Sequence, residues 1–385
     1  MSSRSFLAPG AWPLVVLVAL AAAGCGDNWE AQPGPGPTPG CGGVFGSGGD
    51  GSGGAGGAAG GVVAGGFTVI ALPDTQYYSA SYPNIFEAQV QWILDQREAR
   101  RIAFVLHEGD IVDTDVPAQW ENASRSLHRL DGLVPYVVAP GNHDYASMGG
   151  IADRSGTLIN QYFPLGPLAA SPGFRGSFEA DRVENTAQFL MMGDMPWLVI
   201  ALEFGPRDAV LAWADGVLKQ YPDMPAMVVT HAYQNWDGTR YDHVAKPNVS
   251  EQPYNPHQYA ANPPPGAVND GQEMWTKLIY QNENVRFVIN GHTFGPFGEA
   301  AATLTSSHPA GATVHQIVAN YQQTEWGGAG YLRVMEFCPA ERQLRVSTYS
   351  PFLQRWKQDP SNEFTLPLPA PETAAAAAPS FAASR

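Results

Sequence analysis

The fold of this chain is best indicated by the stretch "VPYVVAPGNHD", residues 134–144. Its first half is an apolar run rich in β-branched and aromatic residues, which predicts a strand over 134–144. Asn142 and His143 follow at the carboxyl end of that strand. In open α/β sheets, ligands bind at the carboxyl ends of the strands, so this stretch predicts a functional site at a sheet edge.

The residues before this stretch alternate between strand and helix patterns. "IAFVLHEGD" (102–110) and "FTVIALPD" (67–74) are apolar runs that end in an acidic residue, and both predict strands. Apolar residues recur at helical spacing over 84–101, and a second helix is predicted over 117–132. This β-α-β-α-β order predicts an α/β fold with a parallel sheet covered by helices.

The residues after this stretch continue the pattern. Apolar runs predict four further strands, at 197–204, 224–232, 285–292 and 313–321. Helical spacing predicts helices at 207–220 and 270–283. Near the end, "YLRVMEF" and "QLRVSTYS" predict an antiparallel pair joined through residues 339–342. The stretch 233–269 is long, irregular and rich in Pro, Asn and Tyr, and connections of this kind are usually functional or mobile.

Polar residues follow strand after strand at equivalent places. They are Asp74, Gln76, Asp110, Asn142, His143, His231 and His292. Each one singly is also compatible with a turn or with a hydrogen-bonded core histidine. Together they place carboxylate, amide oxygen and imidazole at one sheet edge, a donor set that suits Zn, Fe or Mn better than Ca.

The two ends of the chain have compositions that cannot form a core. Residues 12–24 form an apolar run too short to span a membrane comfortably, and residues 1–24 read as a signal peptide. "AAGC" (22–25) resembles a bacterial lipobox, which predicts lipidation of Cys25; cleavage elsewhere in a plain signal peptide is the alternative. A Gly/Pro-rich linker is predicted over 25–66, one domain over 67–366 and a disordered tail over 367–385.

The net charge and the cysteines further limit which functions the chain can have. The chain has 385 residues and a formal net charge of −15, and no Lys/Arg cluster occurs, so binding of a nucleic-acid polymer is not expected. Cys41 and Cys338 can pair in an oxidising compartment, but the sequence leaves that pairing open.

Five motifs, "PDTQ", "GDIVD", "GNHD", "VTHA" and "NGH", occur in this order and resemble those of the calcineurin-like metallophosphoesterases. The resemblance covers about residues 67–350. "DTQYYS", "VNDG" and "VHQIVANYQ" look like an exported bacterial branch that has Asp-Thr-Gln in place of Asp-x-His. The resemblance implies a four-layer αββα sandwich and two metal ions.

The resemblance also implies roles for the strand-end residues. Asp110 would bridge the two metal ions, Asp74 would bind the first, and Asn142, His231 and His292 the second, while His143 would protonate or stabilise the leaving oxygen. This chain departs from the pattern at Gln76 and Phe294, which stand where the first ion usually has histidines. One tight and one weaker site are therefore expected, with His257 and His315 as residues that either rescue the weaker site or are structural.

Two functions remain open at this stage. The leading hypothesis is a lipid-anchored, extracytoplasmic, metal-dependent hydrolase of a small phosphomonoester or phosphodiester. The alternative is a non-catalytic, lipid-anchored surface protein that keeps the fold and one structural metal. A purple iron-tyrosinate centre is not expected, because Asp113 stands where purple acid phosphatases have a tyrosine. Nearby aromatic residues either stack on a substrate or pack in the core: Tyr77, Tyr78, Trp236 and Tyr241.

Overall fold

The side chains of the first strand, Phe67–Leu72, alternate between two hydrophobic cores. Phe67, Val69 and Ala71 belong to one core, and Ile70 and Leu72 belong to another on the opposite face. Because side chains of a strand alternate between its faces, the sheet that contains this strand is covered on both sides.

The structure is a computed structural model that describes residues 41, 65–146, 154, 156–259 and 264–368. The described strands, in chain order, are β1 Phe67–Leu72, β2 Ile102–His107, β3 Tyr136–Val138, β4 Phe174–Ser177, β5 Thr186–Met192, β6 Met195–Ala201, β7 Ala226–Val229, β8 Val285–Asn290, β9 Ala300–Ser307, β10 Thr313–Asn320, β11 Leu332–Cys338, β12 Gln343–Ser350, β13 Arg355–Lys357 and β14 Phe364–Pro367. The described α-helices are α1 Gln76–Ser81, α2 Pro83–Gln96, α3 Pro117–Leu127, α4 Ile159–Tyr162, α5 Leu165–Ala169, α6 Asp208–Gln220, α7 Gly271–Met274 and α8 Glu325–Gly328. Short 3₁₀ turns lie at His128–Leu130, Pro256–Gln258 and Pro339–Glu341, and a π-helical turn at Trp275–Ile279 continues α7.

These strands form two sheets in the described part of the chain. The first has the order β13-β12-β11-β1-β2-β3, with β14 paired to β12, and the second has the order β4-β5-β6-β7-β8-β10-β9. Strands β1, β2 and β3 are parallel, as are β6, β7, β8 and β10. β11 and β12 form the predicted antiparallel pair.

Three hydrophobic cores separate four layers. Helices α2 and α3 cover the outer face of the first sheet, and α6 covers the outer face of the second. Between the sheets, Phe67 stacks on Phe337 with ring centroids 4.6 Å apart, and Trp197 of the second sheet packs against the edge of Phe337. Burying an apolar side chain of this size contributes about 1.5–3 kcal/mol. The predicted α/β fold with an αββα arrangement is confirmed.

The strands end earlier than the sequence predicted. The strand predicted over 134–144 is only Tyr136–Val138, and the strand predicted over 102–110 ends at His107. The backbone explains both ends. Pro140 has no N–H to pair, and Gly109 and Asp110 have φ values of 100° and 48°, which extended strands do not adopt. The polar residues therefore lie in turns just beyond the strands.

A disulfide joins Cys41 to Cys338 at the end of β11, with 5.2 Å between the two Cα atoms. Cys41 lies within the predicted linker, so at least this point of the linker is held against the domain. The predicted signal peptide and the predicted lipidation site, Cys25, lie outside the described residues. Within the part of the chain that the structure describes, no helix is both long and apolar enough to cross a membrane.

Candidate metal centre

Five strands end around one group of polar side chains. Asp74 follows β1, Asp110 follows β2 and Asn142 follows β3, all from the first sheet. His231 follows β7 and His292 follows β8, both from the second sheet. All five residues are at most 4% exposed. These residues therefore converge at the carboxyl ends of strands, and the strands belong to two sheets rather than to the one sheet edge that the sequence predicted.

Asp110, His231 and His292 form the centre of this group. His231 Nε2 lies 3.1 Å from Asp110 Oδ2 and 3.1 Å from His292 Nδ1. One ligand atom from each of the three residues lies within 4.8 Å of the others. Two ring nitrogens that point at each other and at one carboxylate are the arrangement expected around a cation.

Backbone carbonyls hold both imidazoles in this orientation. His231 Nδ1 lies 2.8 Å from the carbonyl oxygen of Glu108, and His292 Nε2 lies 2.8 Å from that of Tyr254. Metal-binding histidines usually donate their second ring N–H to such an acceptor, which fixes the tautomer and the ring position. His231 therefore presents Nε2, and His292 presents Nδ1, to the centre.

Asn142 Oδ1 and Gln76 Oε1 are two of the five buried side-chain amide oxygens that have no hydrogen-bond partner among the described residues. Gln76 is 1% exposed, and its Nε2 donates to Asp113 Oδ1 over 3.3 Å. The nitrogen of the amide is therefore hydrogen-bonded and its oxygen is not. Leaving a buried acceptor unpaired costs about 1–3 kcal/mol. A bound cation would supply the missing partner for both oxygens, so these residues fit the metal ions that the sequence predicted.

Asp74 is held from two sides. Its Oδ1 accepts a hydrogen bond from the His292 backbone N–H at 3.1 Å, and its Oδ2 accepts one from Asn320 Nδ2 at 2.9 Å. Gly291 must be a glycine here, because a Cβ at this position would lie 2.3 Å from Asp74 Oδ1. In the same way, a Cβ at Gly141 would lie 2.1 Å from Asp110 Oδ1. The glycines of "NGH" and "GNHD" thus let the backbone approach the two carboxylates.

His143 lies beside the centre rather than within it. Its backbone N–H donates to Asp110 Oδ1 over 2.9 Å, and its ring Nδ1 lies 2.8 Å from the carbonyl oxygen of Asp113. The ring is 28% exposed, unlike those of His231 and His292. Nδ1 is engaged, so Nε2 is left as the nitrogen that can exchange a proton with a bound molecule.

Burial and neighbouring charges together set the pKa values of the titrating groups at the centre. Burial raises the pKa of Asp74, and the neighbouring Asp110 carboxylate raises it further. Burial would also raise the pKa of Asp110, but His231 and His143 outweigh burial and hold it well below its usual range. Burial and the charge of His231 lower the pKa of His292 to about 3. These shifts favour an ionised Asp110 and a neutral His292, the forms that bind metal ions. The Asp110 and Asp74 carboxylates, in contrast, outweigh burial and raise the pKa of His231 to about 9, so a metal ion would have to displace the proton of His231.

Several predicted residues are not part of this centre. His315 lies 3.0 Å from Thr305 Oγ1 and 2.8 Å from the Pro367 carbonyl oxygen through its two ring nitrogens, so it does not rescue the first site. His257 pairs with Glu273 instead. At the position of the missing histidine, Phe294 packs against Tyr254 with ring centroids 5.0 Å apart. Neither possible rescue of the first site is therefore supported.

The aromatic residues near the motifs divide into two groups. Tyr78 and Tyr241 are at most 2% exposed, and their hydroxyl groups bond the backbone of Gly330 and Pro253, so both are packing residues. Tyr77 is partly exposed, and Trp236 is 39% exposed. Of these four residues, only Tyr77 and Trp236 are therefore exposed enough to stack on a substrate.

Sequence reasoning missed several residues that position the site. Asp144 accepts from the backbone N–H groups of Val112 and Gly141 at 3.0 and 2.7 Å, which ties the two motif turns together. Glu108 Oε2 is buried without a partner close to Asp74, and their mutual repulsion adds to burial in raising the pKa of Glu108. Both residues could have been identified from the sequence, because Asp144 is the last residue of "GNHD" and Glu108 is the second residue of "HEGD". No sequence signal identifies the Tyr254 carbonyl.

Comparisons with known proteins agree with this geometry. The sequence model described as calcineurin-like phosphoesterase matches residues 67–296. The chain is 30% identical over 291 residues to the uncharacterized protein YvnB of Bacillus subtilis (strain 168). That alignment covers 75% of this chain but 20% of YvnB, so the chain spans about a fifth of its relative's length.

Two solved structures resemble the chain at a lower level. GAP50, the anchor in the inner membrane complex of Plasmodium, has a TM-score of 0.45 and 11% identity, over 80% of this chain and 90% of its own. A protein serine/threonine phosphatase from Saccharomyces cerevisiae, with similarity to human phosphatase PP5, has a TM-score of 0.26 and 13% identity, over 81% and 82%. Nothing about the activity of this chain follows from likenesses of that size.

Proposed function

The chain belongs to the calcineurin-like phosphoesterase family, and on that premise we propose that it is a metal-dependent hydrolase of a small phosphomonoester or phosphodiester outside the cytoplasm. The observation that carries this proposal is the convergence of Asp110, His231 and His292. Their ligand atoms lie within 4.8 Å of one another, with the unpaired oxygens of Asn142 and Gln76 also buried at the strand ends.

The residues around the centre divide between two metal ions. Asn142, His231 and His292 would hold one ion, Asp74 and Gln76 would hold the other, and Asp110 would be shared. Such ions, when bound, polarise a phosphoryl oxygen and make water a nucleophile near neutral pH. The donors suit Zn, Fe or Mn, because imidazole is a preferred ligand of these metals.

His143 has the role of proton donor to the leaving oxygen. The Asp113 carbonyl fixes its Nδ1 and Asp110 Oδ1 accepts from its backbone N–H, so the ring is held in one position and Nε2 is the nitrogen left for proton transfer. Burial lowers the pKa of His143, but the Asp110 carboxylate and the Asp113 carbonyl outweigh burial and raise it above its ordinary value. A positioned general acid of this kind contributes about 10²–10⁴-fold to the rate.

The location outside the cytoplasm is supported by the Cys41–Cys338 disulfide, since such bonds persist mainly in oxidising compartments.

We propose that Cys25 carries lipid and anchors the protein to a membrane. Two acyl chains hold a protein far more stably than one. Cys25→Ala should move the protein from the membrane fraction to the soluble fraction. A wild-type protein that already fractionates as soluble would contradict the anchor.

The alternative function is a non-catalytic surface protein with one structural metal. Gln76 and Phe294 favour it, because phenylalanine cannot bind a metal and an amide oxygen is a weaker ligand than imidazole. Against it, the site retains His143 in a proton-transfer position that a structural metal does not need.

One assay separates the two functions. The purified full chain is tested with added Mn, Zn or Fe against a nitrophenyl phosphomonoester and a bis-nitrophenyl phosphodiester. Hydrolysis that needs the metal and disappears in Asp110→Asn supports the enzyme. Metal binding without turnover of either substrate class supports the surface protein.

A further inference from the structure

A second group of ligand-type side chains lies outside the metal centre, in the irregular stretch 233–269 and the start of α7. It consists of His243, His257, Asp270 and Glu273, and one ligand atom from each lies within 4.8 Å of the others. We propose that these four residues bind a structural Zn²⁺ ion, which we call the loop site. The evidence for the loop site does not rest on the proposed hydrolysis.

The donor atoms of the loop site already converge. His243 Nδ1 lies 2.9 Å from Asp270 Oδ2 and 3.9 Å from Glu273 Oε2. His257 Nε2 lies 2.7 Å from the same Glu273 oxygen. The two imidazole rings lie with centroids 3.6 Å apart and planes tilted by 31°, and one nitrogen of each approaches Glu273 Oε2. Two imidazoles and two carboxylates complete the four ligands of a tetrahedral zinc site.

Three of the six donor–donor contacts require little rearrangement, but the ring centroids, 3.6 Å apart, would have to spread for both imidazoles to bind one ion. With metal–ligand bonds of 2.0–2.1 Å, two ligand atoms of a tetrahedral zinc ion lie about 3.3 Å apart. The contacts of 2.7 and 2.9 Å would lengthen by a few tenths of an ångström, and the contact of 3.9 Å would shorten by a similar amount. Zinc would take the place of the ring protons that His243 and His257 now share with the carboxylates.

The carboxylates are held in place by bonds that do not depend on a metal. Asp270 Oδ1 accepts from the backbone N–H groups of Gln272 and Glu273, both at 3.1 Å. Glu273 Oε2 accepts from the backbone N–H of Asp270 at 3.0 Å. Asn255 Nδ2 donates to Asp270 Oδ2 over 3.2 Å. Supporting bonds of this kind orient the ligands of a metal site before the metal arrives.

The loop site has a consequence for the metal centre. The segment between His243 and His257 contains Tyr254, whose carbonyl oxygen holds His292 Nε2. Tyr254 has φ of 70°, a strained conformation for a residue with a side chain, so the segment must be held from elsewhere. Zinc at the loop site would fix both flanks of this segment.

The test measures zinc binding with the metal centre disabled. The full chain carrying Asp110→Asn and His231→Ala is dialysed against low-micromolar free Zn²⁺, and bound zinc is measured by elemental analysis. The comparison protein carries His243→Asn and His257→Gln in addition. Asn and Gln keep an N–H that can bond the same carboxylates, but their amide oxygens are much weaker zinc ligands than imidazole. Circular dichroism checks that both proteins are folded.

We expect about one zinc equivalent in the first protein and none in the second, because structural zinc sites bind tightly. No zinc in the first protein, or equal zinc in both, would overturn the loop site.

If the four-substitution protein does not fold, limited proteolysis of the first protein decides instead. Zinc should then slow cleavage between His243 and His257 relative to EDTA, and identical cleavage rates would overturn the proposal.

Discussion

The two halves of the metal centre receive different donors from the two sheets. The second half has two imidazoles, His231 and His292, which follow neighbouring strands of the second sheet, and the amide of Asn142. The first half has only oxygen donors besides the shared Asp110, namely Asp74 in the turn after β1 and Gln76 at the start of α1. Because imidazole binds Zn and Fe better than an amide oxygen, we expect the two metal sites to differ in affinity.

The largest effect is expected from replacing Asp110, the residue that the two halves of the centre share. Asp110→Asn should lower kcat/KM by at least about 10³-fold, because a bridging carboxylate serves both ions and each contributes several kcal/mol. Elemental analysis should show metal loss from the same variant. Asp95→Asn is the matched control, since this exposed carboxylate only accepts from Gln91 on α2. Full activity in Asp110→Asn would refute the shared role.

The next test separates proton transfer from metal binding. His143→Ala should lower kcat by about 10²–10⁴-fold, because the general acid is lost. Its metal content should stay near that of the wild type, since the ring contacts Asp113 and not a ligand of either half. Metal loss equal to that of Asp110→Asn would show that His143 is itself a ligand.

A smaller effect is expected from changing the first half alone. Phe294→His should tighten the weaker site by about tenfold or more, because it adds an imidazole where only oxygen donors stand. Histidine is smaller than phenylalanine, and Phe294 is only half-buried against Tyr254, so the substitution fits. Phe294→Tyr is the control that keeps an aromatic ring without a nitrogen. Metal titrations of the two variants that coincide would show that position 294 does not face the first half.

Removing the disulfide that joins the linker to β11 should have the smallest effect on metal binding by either half of the centre. Cys41→Ser with Cys338→Ser should lower the free energy of unfolding by about 2–5 kcal/mol, because the bond closes a long loop in the unfolded chain. The separation is 297 residues. Denaturant unfolding measures the change, and metal affinity at 25 °C should not move. Altered metal affinity would mean that the centre depends on this distant link.

The sequence predicted which polar residues converge better than it predicted the bounds of the strands. Asp110, His231 and His292 were identifiable because each follows an apolar run, and parallel strands bring such positions together. β4, β5 and β9 were not predicted, because β5 is interrupted by polar residues and β9 alternates small and polar side chains. The orienting carbonyls of Glu108 and Tyr254 were beyond sequence reasoning, since every residue has a carbonyl and only the folded backbone selects one.

The unequal affinity of the two halves is tested most directly by counting metal at the centre. The protein carrying His243→Asn and His257→Gln, which lacks the loop site, is purified without added metal and analysed for Zn, Fe and Mn. The account predicts nearer one equivalent than two, and activity that rises when Mn or Zn is titrated in. Two tightly held equivalents in the untreated protein would contradict it. The missing ligand would then be sought first at Glu108, whose unpaired carboxyl oxygen lies close to Asp74.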